Sequence, residues 1–395
     1  MNTTRICAIC GDTNWKPFLS TNTDRIATSD QRIVAGNLDK SICQTCGVVA
    51  NTKTFSDREL ANLYGQDYGL QEHYFFMPSG LPIARSEAFA RWILPHLSPN
   101  RLNSVLEIGC GQGNLLQRLQ LYFPNREIKG IDGSRLACIS AQAKGLDVEQ
   151  GLILGIGDKL PKSDAIIAIA VAEHTEDISG FISILSSSVS DNGRVIFSQQ
   201  VQDCHRYDVF INEHVWHFTV NQFCRLLSKN GLEVIYTDCN HPIIQGSCLF
   251  VCRPLKNILP YLVSTQPESG FAILNKEYCI SMFDKVNRCL DGTDGARIAV
   301  FGGGEILAML LAYTSLGDRH PGDRYPGDRQ IVACLDEDMS KVGTVKHGIE
   351  VQHIGWLKDN PVDKVLLTMN PRYHTQALEK LKPYNVGNIE ILSWA

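Results

Sequence analysis

The sequence has no run of apolar residues long enough to cross a membrane. The aliphatic run from Ala165 to Ala172 is far shorter than the roughly 20 residues that a transmembrane helix needs. The first residues, MNTTRICAICGD, lack the apolar stretch of a secretory signal peptide. We therefore expect a cytoplasmic protein without a membrane partner.

The chain also lacks an excess of positive charge. It has 37 lysine and arginine residues against 42 aspartate and glutamate residues, which gives a formal net charge of -5. Such a protein has no overall positive field to neutralise a phosphate backbone, so we expect no nucleic-acid partner. Hydrophobic residues make up 44% of the 395 residues, which is typical of a folded chain of two or three domains.

Cysteines, in contrast, are frequent. The chain has 14, and without a secretory signal we expect most to be reduced and some to bind metal. Two CxxC pairs, each followed by glycine, are typical of zinc knuckles: Cys7 with Cys10, and Cys43 with Cys46. Because 32 residues separate the pairs, the intervening segment is predicted to carry a small sheet. The pattern predicts a structural Zn²⁺ site with four thiolates; four free core cysteines are the alternative.

The middle of the chain alternates strand-like and helix-like segments. A strand SVLEIG leads through a glycine-rich loop into a helix, and a second strand, EIKGID, ends on an acidic residue. The apolar segment SDAIIAIAVAEH is typical of a buried parallel strand whose far end turns polar at Glu173 and His174. This alternation predicts an α/β fold with a doubly wound sheet that binds its ligand at the carboxyl edge.

The glycine-rich loop has the composition of a nucleoside-binding turn. Gly109, Gly111 and Gly113 alternate where the strand gives way to the helix, so the backbone can approach a bulky ligand closely. Asp132 follows Gly113 by 19 residues and ends the second strand, where a carboxylate can accept both ribose hydroxyls. The spacing E-x-G-x-G-x-G, which begins at Glu107, differs from the G-x-G-x-x-G of dinucleotide enzymes.

These segments resemble the class I methyltransferases. VLEIGCGQGNLL is similar to their first motif, GIDGS to their second, AVAEHTED to their post-sheet signature, and DNGRVIF to the turn before their fifth strand. The resemblance covers roughly residues 100 to 235. It implies an enzyme that uses S-adenosylmethionine, with the cofactor-binding residues Glu107, Gly109, Gly111, Gly113 and Asp132. A degenerate domain that has lost its cofactor is the alternative.

A second α/β unit is predicted near the C-terminus. Its strand ARIAVFGGG ends on a glycine loop, but Leu307 stands where a dinucleotide site would have its third glycine. We expect a Rossmann-like domain that packs on the core or holds the nucleotide part of a substrate, with Gly302 and Asp336 nearest that ligand. The tandem repeat GDRHPGDRYPGDR has no apolar face and is predicted to be an exposed insertion.

The segment VFINEHVWHFT carries two adjacent titratable residues, Glu213 and His214, in an aromatic setting that suits general-base chemistry. An ordinary capped helix start is the alternative. With the zinc pattern and the C-terminal unit, the chain resembles the C-methyltransferases of deoxysugar biosynthesis. The resemblance implies that His174 is the family's motif histidine and that Glu213 and His214 are its EH pair. A family tyrosine two positions before the glutamate is Ile211 here, and an N-terminal one could correspond to Tyr64, Tyr68 or Tyr74.

The resemblance implies a mechanism and three domains. His214, oriented by Glu213, would remove a proton beside the ketone of a nucleotide-linked 4-keto sugar, while His174 would polarise the ketone or hold a hydroxyl. Alternatives are an O- or N-methyltransferase of another small metabolite or glycan, a zinc-ribbon nucleic-acid methylase, and a noncatalytic nucleotide- or carbohydrate-binding scaffold. The predicted domains are a four-cysteine module (1–60), the methyltransferase core with its connector (61–255) and the Rossmann-like domain (256–395).

Overall fold

The computed structural model describes residues 5–55, 59, 72–77, 81–152, 160–255, 267–318, 330–384 and 389–394. Tyr64, Tyr68 and nearly all of the tandem repeat lie outside these residues. By their contacts the residues divide into two compact units. The first unit comprises Met1–Phe18, Asp39–Val209 and His214–Asn275, and the second comprises Leu19–Leu38, Phe210–Glu213 and Lys276–Ala395. The predicted division into three domains remains a prediction; in the structure residues 19–38 group with the C-terminal residues.

The N-terminal residues form short strands, as the spacing of the cysteine pairs predicts. These strands are β1 Trp15–Ser20, β2 Arg25–Ala27, β3 Ile33–Ala35, β4 Asp39–Cys43 and β5 Val49–Asn51. Strands β2 and β3 pair as an antiparallel hairpin within the second unit. Strands β1, β4 and β5 belong to a four-stranded sheet whose last member lies much further along the chain, at Trp216–His217. A two-residue strand carries no sequence pattern, so this pairing could not be predicted.

The first unit is built on a seven-stranded sheet. It is preceded by the hairpin of β6 Tyr74–Phe76 and β7 Pro82–Ala84 and by the helix α1 Arg85–Ile93. Its seven strands are β8 Ser104–Ile108, β9 Glu127–Asp132, β10 Asp147–Gln150, β11 Ser163–Ile169, β12 Val189–Gln200, β14 Leu232–Asp238 and β15 Ser247–Pro254. Strand β13, Trp216–His217, belongs to the four-stranded sheet described above. The order across the sheet is β10-β9-β8-β11-β12-β15-β14, and β15 runs antiparallel to both neighbours. This is the doubly wound α/β sheet that the sequence predicts.

Helices cover both faces of this sheet. They are α2 Asn114–Tyr122, α3 Arg135–Ala143, α4 Ile178–Ser188 and α5 Val220–Lys229. Neighbouring residues of a strand point to opposite faces, and accordingly Ile196 and Phe197 belong to different apolar clusters. Thr219 caps α5 and forms a capping box with Gln222, which agrees with the helix start expected after the aromatic segment.

One local prediction differs from the structure. The sequence Asp191-Asn192-Gly193 indicates a turn before the fifth strand, but these residues lie inside β12. The register explains the difference, because Ser163 pairs with Val189 while Ala165 pairs with Arg194. The extra residues of β12 are accommodated as an irregularity of the ladder instead of a separate turn.

The second unit contains a six-stranded sheet and three helices. Its elements are α6 Gly270–Leu290, β16 Arg297–Phe301, α7 Glu305–Tyr313, β17 Gln330–Leu335, β18 Val345–Lys346, β19 Ile349–Gln352, β20 Lys364–Leu367, α8 His374–Leu381 and β21 Glu390–Leu392, and α6 begins in the first unit. The strand order is β18-β19-β17-β16-β20-β21, and only β18 is antiparallel to its neighbour. The glycine loop of β16 therefore lies where the strand order reverses, as in Rossmann-like sheets.

Two further features bear on the sequence expectations. Among the residues described, every helix is too short or too polar to cross a bilayer. Cys239 and Cys248 form a disulfide, whereas the other twelve cysteines, all of them in the described part of the chain, lie outside disulfides.

Candidate active site

The glycine-rich loop at the carboxyl end of β8 has the backbone that only glycine adopts readily. Gly109, Gly111 and Gly113 have φ values of 71°, 54° and 73°. A Cβ on Gly109 would lie 2.5 Å from Val171 Cγ2, and one on Gly113 would lie 2.2 Å from Leu146 Cδ1. A Cβ on Gly111 would meet no atom within 4 Å. Two of the glycines therefore allow close packing, and the third faces open space that a ligand could fill.

Asp132 lies beside Gly111 at the end of β9. Its Oδ2 accepts a hydrogen bond from the Gly111 N–H at 2.7 Å, and its Oδ1 accepts one from the Ser134 N–H at 2.7 Å. Burial raises the pKa of Asp132, and the two N–H donors oppose that shift. Both oxygens thus have backbone partners, and their remaining lone pairs can still accept from ribose hydroxyls.

Glu107 is a buried carboxylic acid within β8 itself. Its Oε2 has no hydrogen-bond partner among the described residues, and burial raises its pKa well above the usual value. Glu107 and Asp132 therefore lie on the adjacent strands β8 and β9, and Gly111 lies in the loop that follows β8. The loop and Asp132 fit a cofactor that carries a nucleoside.

Val171 connects the glycine loop to the histidine segment. Its side chain lies against the Cβ position of Gly109, and the short 3-10 helix Ala172–His174 follows directly. Strand β11, which precedes Val171, pairs with β8, so both loops leave the same edge of the sheet. This edge is where the sequence predicted the ligand.

Asp208 holds two histidine side chains. Its Oδ1 lies 2.6 Å from Nδ1 of His214, and its Oδ2 lies 2.6 Å from Nδ1 of His217. Burial alone would raise the pKa of Asp208, but the interaction with His217 and the two hydrogen bonds hold it well below its usual range. An ionised carboxylate can only accept, so each ring donates its Nδ1–H to Asp208.

His217 is the more deeply constrained of the two rings. Burial and the nearby Lys40 lower its pKa to about 4, so the ring is neutral at physiological pH. Lys40 is itself fully buried and donates hydrogen bonds to Asn51 Oδ1 and, at 2.9 Å, to the His214 carbonyl. The His214 backbone and ring are thus fixed by two different groups.

The predicted orienting role of Glu213 remains a prediction. Glu213 Oε1 accepts hydrogen bonds of 2.6 Å from both the N–H and the hydroxyl of Ser29, all within the second unit. The carboxylate that accepts from Nδ1 of His214 is that of Asp208. Asp208 was not among the residues predicted from the sequence. The available signal was an acidic residue closely preceding the His-x-x-His spacing of His214 and His217.

Two more titratable groups complete the cluster. His174 is half-buried and packs edge-on against His214, with 4.8 Å between ring centroids. A carboxylate oxygen of Glu173 and one ring nitrogen from each of His174 and His214 all lie within 4.8 Å of one another. Glu173 is fully buried, which raises its pKa to about 7, although His214 acts in the opposite direction. Of the predicted catalytic residues, His174 and His214 are thus brought together.

The four predicted metal ligands also meet. Sulfur atoms of Cys7, Cys10, Cys43 and Cys46 lie within 4.8 Å of one another, and two of the sulfur pairs are 3.5 Å apart. Zn–S bonds of about 2.3 Å in a tetrahedron place sulfurs roughly 3.8 Å apart, so the cluster fits Zn²⁺. The Gly11 and Gly47 N–H groups bond to the Cys7 and Cys43 carbonyls, and both glycines have positive φ. These are the knuckle turns expected from CxxCG.

In the second unit, the backbone of the glycine loop that follows β16 is hydrogen-bonded to a side chain of the same unit. Asp336 Oδ2 accepts from the Gly303 N–H at 3.2 Å and from Lys341 Nζ at 3.1 Å. Gly302 has a φ of 112° and lies against residues 368 and 369, which directly follow the neighbouring strand β20. Gly302 and Asp336 therefore lie at one edge of this sheet, and whether they hold a nucleotide remains a prediction.

Comparisons with known proteins agree with this geometry. Residues 83–237 match the family described as "Methyltransferase domain", which is less than half of the chain. No curated protein matches the sequence.

Similar solved structures include an S-adenosylmethionine-dependent methyltransferase from Clostridium acetobutylicum (13% identity, 43% of this chain and 92% of that one, TM-score 0.36). Another is human N-acetylserotonin methyltransferase (16% identity, 43% and 54%, TM-score 0.37). The donor expected for the fold is S-adenosylmethionine. The match of residues 83–237 to this family and their α/β class I fold support a methyltransferase enzyme.

Proposed function

We propose that this enzyme transfers the methyl group of S-adenosylmethionine to the carbon beside a ketone in a nucleotide-linked keto-deoxysugar. The observation that carries the proposal is the hydrogen bond between Asp208 and His214, buried at the same sheet edge as the glycine loop. An ionised carboxylate that accepts from one nitrogen of a histidine orients the ring and stabilises its protonated form, which suits the other nitrogen to general-base chemistry.

His214 performs the proton transfer in this proposal. Its Nε2 takes the proton from the carbon beside the ketone, and the electron pair of that C–H bond moves toward the ketone oxygen. S-adenosylmethionine supplies an electrophilic methyl group whose bond to sulfur breaks as the new carbon–carbon bond forms. Asp208 stabilises the resulting imidazolium and keeps the ring in place.

Two surrounding features support a polar acceptor with an acidic C–H bond. His174 is half-buried beside His214 and can hold an acceptor hydroxyl or the ketone oxygen. Asp208 and His214 are buried, so little water surrounds them. Their electrostatic interactions with charge that develops during the reaction are therefore stronger than in water. In this proposal Glu213 acts outside the proton transfer, through Ser29.

The four-cysteine cluster is proposed to bind structural Zn²⁺. All four ligand positions would be filled by protein sulfurs, so the ion would have no open position for chemistry. The ion's role is to stabilise the small sheet in which β5 pairs with β13. Strand β13 lies along the chain between His214 and α5. Metal binding would thereby support the segment that carries the proposed base.

The test is methyl transfer from isotope-labelled S-adenosylmethionine to nucleotide 4-keto-6-deoxysugars in deuterated water. We expect a methylated sugar and deuterium exchange at the carbon beside the ketone, with both lost in His214→Asn. Methylation of a hydroxyl or amine without exchange would instead identify an O- or N-methyltransferase that uses the same base. Binding of the sugars without any transfer would favour a noncatalytic scaffold.

A further inference from the structure

Glu173 is a buried acid that the mechanism above leaves unused. Its side chain is fully buried, and neither carboxylate oxygen has a hydrogen-bond partner among the described residues. Nearby carboxylates differ from it. Asp208 uses both oxygens, and Glu176 accepts from the Phe55 N–H and from Arg5. Two orphaned oxygens in a protein interior are expensive unless a ligand satisfies them.

The charges around Glu173 do not compensate an anion fully. Burial is the largest influence on the pKa of Glu173, and Asp208 acts in the same direction, whereas His214, the backbone N–H of Glu173 and Arg85 favour the ionised form. His174 is the remaining titratable neighbour, on the same short helix. Below its raised pKa of about 7 the group is a carboxylic acid, which can donate a hydrogen bond as well as accept one.

Glu173 is also within reach of the proposed base. Ligand atoms of Glu173, His174 and His214 lie within 4.8 Å of one another. Nδ1 of His214 is bonded to Asp208, and Nε2 is the nitrogen to which the proposed function assigns the proton transfer. A molecule that presents a C–H bond to this nitrogen, and an oxygen one bond further away, can place that oxygen at Glu173.

We propose that protonated Glu173 donates a hydrogen bond to the acceptor oxygen that gains negative charge when His214 removes the proton. This inference rests on the proposed function and deepens it. The proton removed from carbon goes to His214 Nε2, the proton of Glu173 stays on its own oxygen, and no further reactant is needed. A neutral acid in an apolar site stabilises a developing oxyanion well, because it need not be released from water first.

The proposal specifies the class of acceptor. Its reactive oxygen is a carbonyl that becomes an enolate, since a neutral hydroxyl that is itself methylated has no separate oxyanion to stabilise. Glu173 would therefore favour ketone-bearing acceptors over alcohols and amines. His174 is then available for a neighbouring hydroxyl of the same sugar.

The first experiment needs no acceptor. Difference infrared spectroscopy of the full-length, metal-loaded protein detects the C=O stretch of protonated carboxyl groups while pH is varied by about two units around the pKa of about 7. We expect a protonated-carboxyl signal that titrates in this range and disappears in Glu173→Gln. Glu107→Gln is the matched control, because Glu107 is also buried with a raised pKa. A titrating signal that is undiminished in Glu173→Gln, or no titrating signal at all, would overturn the proposal.

The second experiment measures turnover of a ketone-bearing acceptor identified by the labelled-methyl screen. Wild-type turnover should fall as pH rises through about 7, because Glu173 ionises and can no longer donate. Glu173→Gln keeps an N–H donor and should lose that high-pH decline while retaining more activity than Glu173→Ala. Equal losses in both variants with an unchanged pH profile would assign Glu173 a structural role only. Failure of every ketone in the screen would count against the proposed function, while the infrared result would still decide the state of Glu173.

Discussion

Asp208 Oδ1 lies 2.6 Å from His214 Nδ1, and both side chains are 1% exposed. The same carboxylate binds His217 Nδ1 through its other oxygen. A buried ionised group with two N–H donors is well solvated by the protein, which explains why the acid stays charged inside the core. The pair therefore has the geometry of an oriented base, on a domain that matches the methyltransferase-domain family.

Replacing Asp208 should disturb the orientation of the His214 ring while leaving the fold of the protein intact. Asp208→Asn can present an N–H to one histidine and would force the wrong tautomer, so we expect methyl transfer to fall by roughly 10²- to 10⁴-fold. Binding of S-adenosylhomocysteine should change little. Asp203→Asn is the control, since Asp203 accepts from the Val220 N–H near the surface. Turnover within a few fold of wild type in Asp208→Asn would remove the pair from the mechanism.

Gly111 should tolerate a methyl group structurally but not functionally. Its Cβ would enter open space, so Gly111→Ala should cost only about 1–2 kcal/mol for its positive φ. That methyl group would occupy the cofactor space, and calorimetry should show at least a tenfold weaker affinity for S-adenosylhomocysteine.

Gly292→Ala is a matched control for Gly111→Ala. Gly292 also has a positive φ, 69°, and open space around its Cβ, but it follows α6 in the second unit. It should lose comparable stability and keep full affinity. Equal affinity in both variants would mean that the cofactor does not lie over Gly111.

Zinc should be needed for the stability of the N-terminal sheet. Cys43→Ser removes one of the four ligands, so elemental analysis should find about one zinc ion per wild-type chain and much less in the variant. The midpoint of thermal unfolding should fall as well. Cys224→Ser is the control because Cys224 lies on α5, outside the cluster, and should keep its zinc. Full zinc content in Cys43→Ser would contradict the assignment.

Glu173 should make the protein less stable as pH rises. Its folded pKa of about 7 exceeds the ordinary 4.5, so the stability linked to its neutral form is complete below about pH 4.5 and is lost as pH rises through about 7. Glu173→Gln cannot ionise, and relative to wild type it should gain up to about 3 kcal/mol across this window. Urea unfolding of both proteins over the pH range measures the difference.

The control for that comparison is Glu233→Gln. Glu233 is exposed and its pKa is lowered by Arg253, so its replacement should not produce a gain that grows with pH. A constant difference between Glu173→Gln and wild type over the whole range would show that Glu173 has an ordinary pKa.

Patterns along the chain predicted the elements that depend on local chemistry. The glycines at 109, 111 and 113, Asp132 and the two CxxC pairs occupy the predicted positions because turns and strand ends have compositional signals. The partner of His214 could not be predicted in this way. Asp208 lies in a short 3-10 helix within an irregular loop, and adjacency favoured Glu213, whose side chain bonds to Ser29.

Burial is the other quantity that the sequence leaves open. Glu173 was visible as the polar end of a buried strand, but its acid strength depends on complete desolvation and on which charges surround it. The pairing of β13 with β5 is similar, because it joins segments about 165 residues apart through a two-residue strand. Such features follow from tertiary packing, so they appear only in the folded chain.

The central claim is that the loop after β8 holds S-adenosylmethionine for methyl transfer. The most direct test is calorimetric titration of the purified, zinc-loaded protein with S-adenosylhomocysteine. The account predicts one site per chain with micromolar affinity, which is retained in Gly292→Ala and weakened in Gly111→Ala. A folded, zinc-loaded protein that binds no S-adenosylhomocysteine would contradict it.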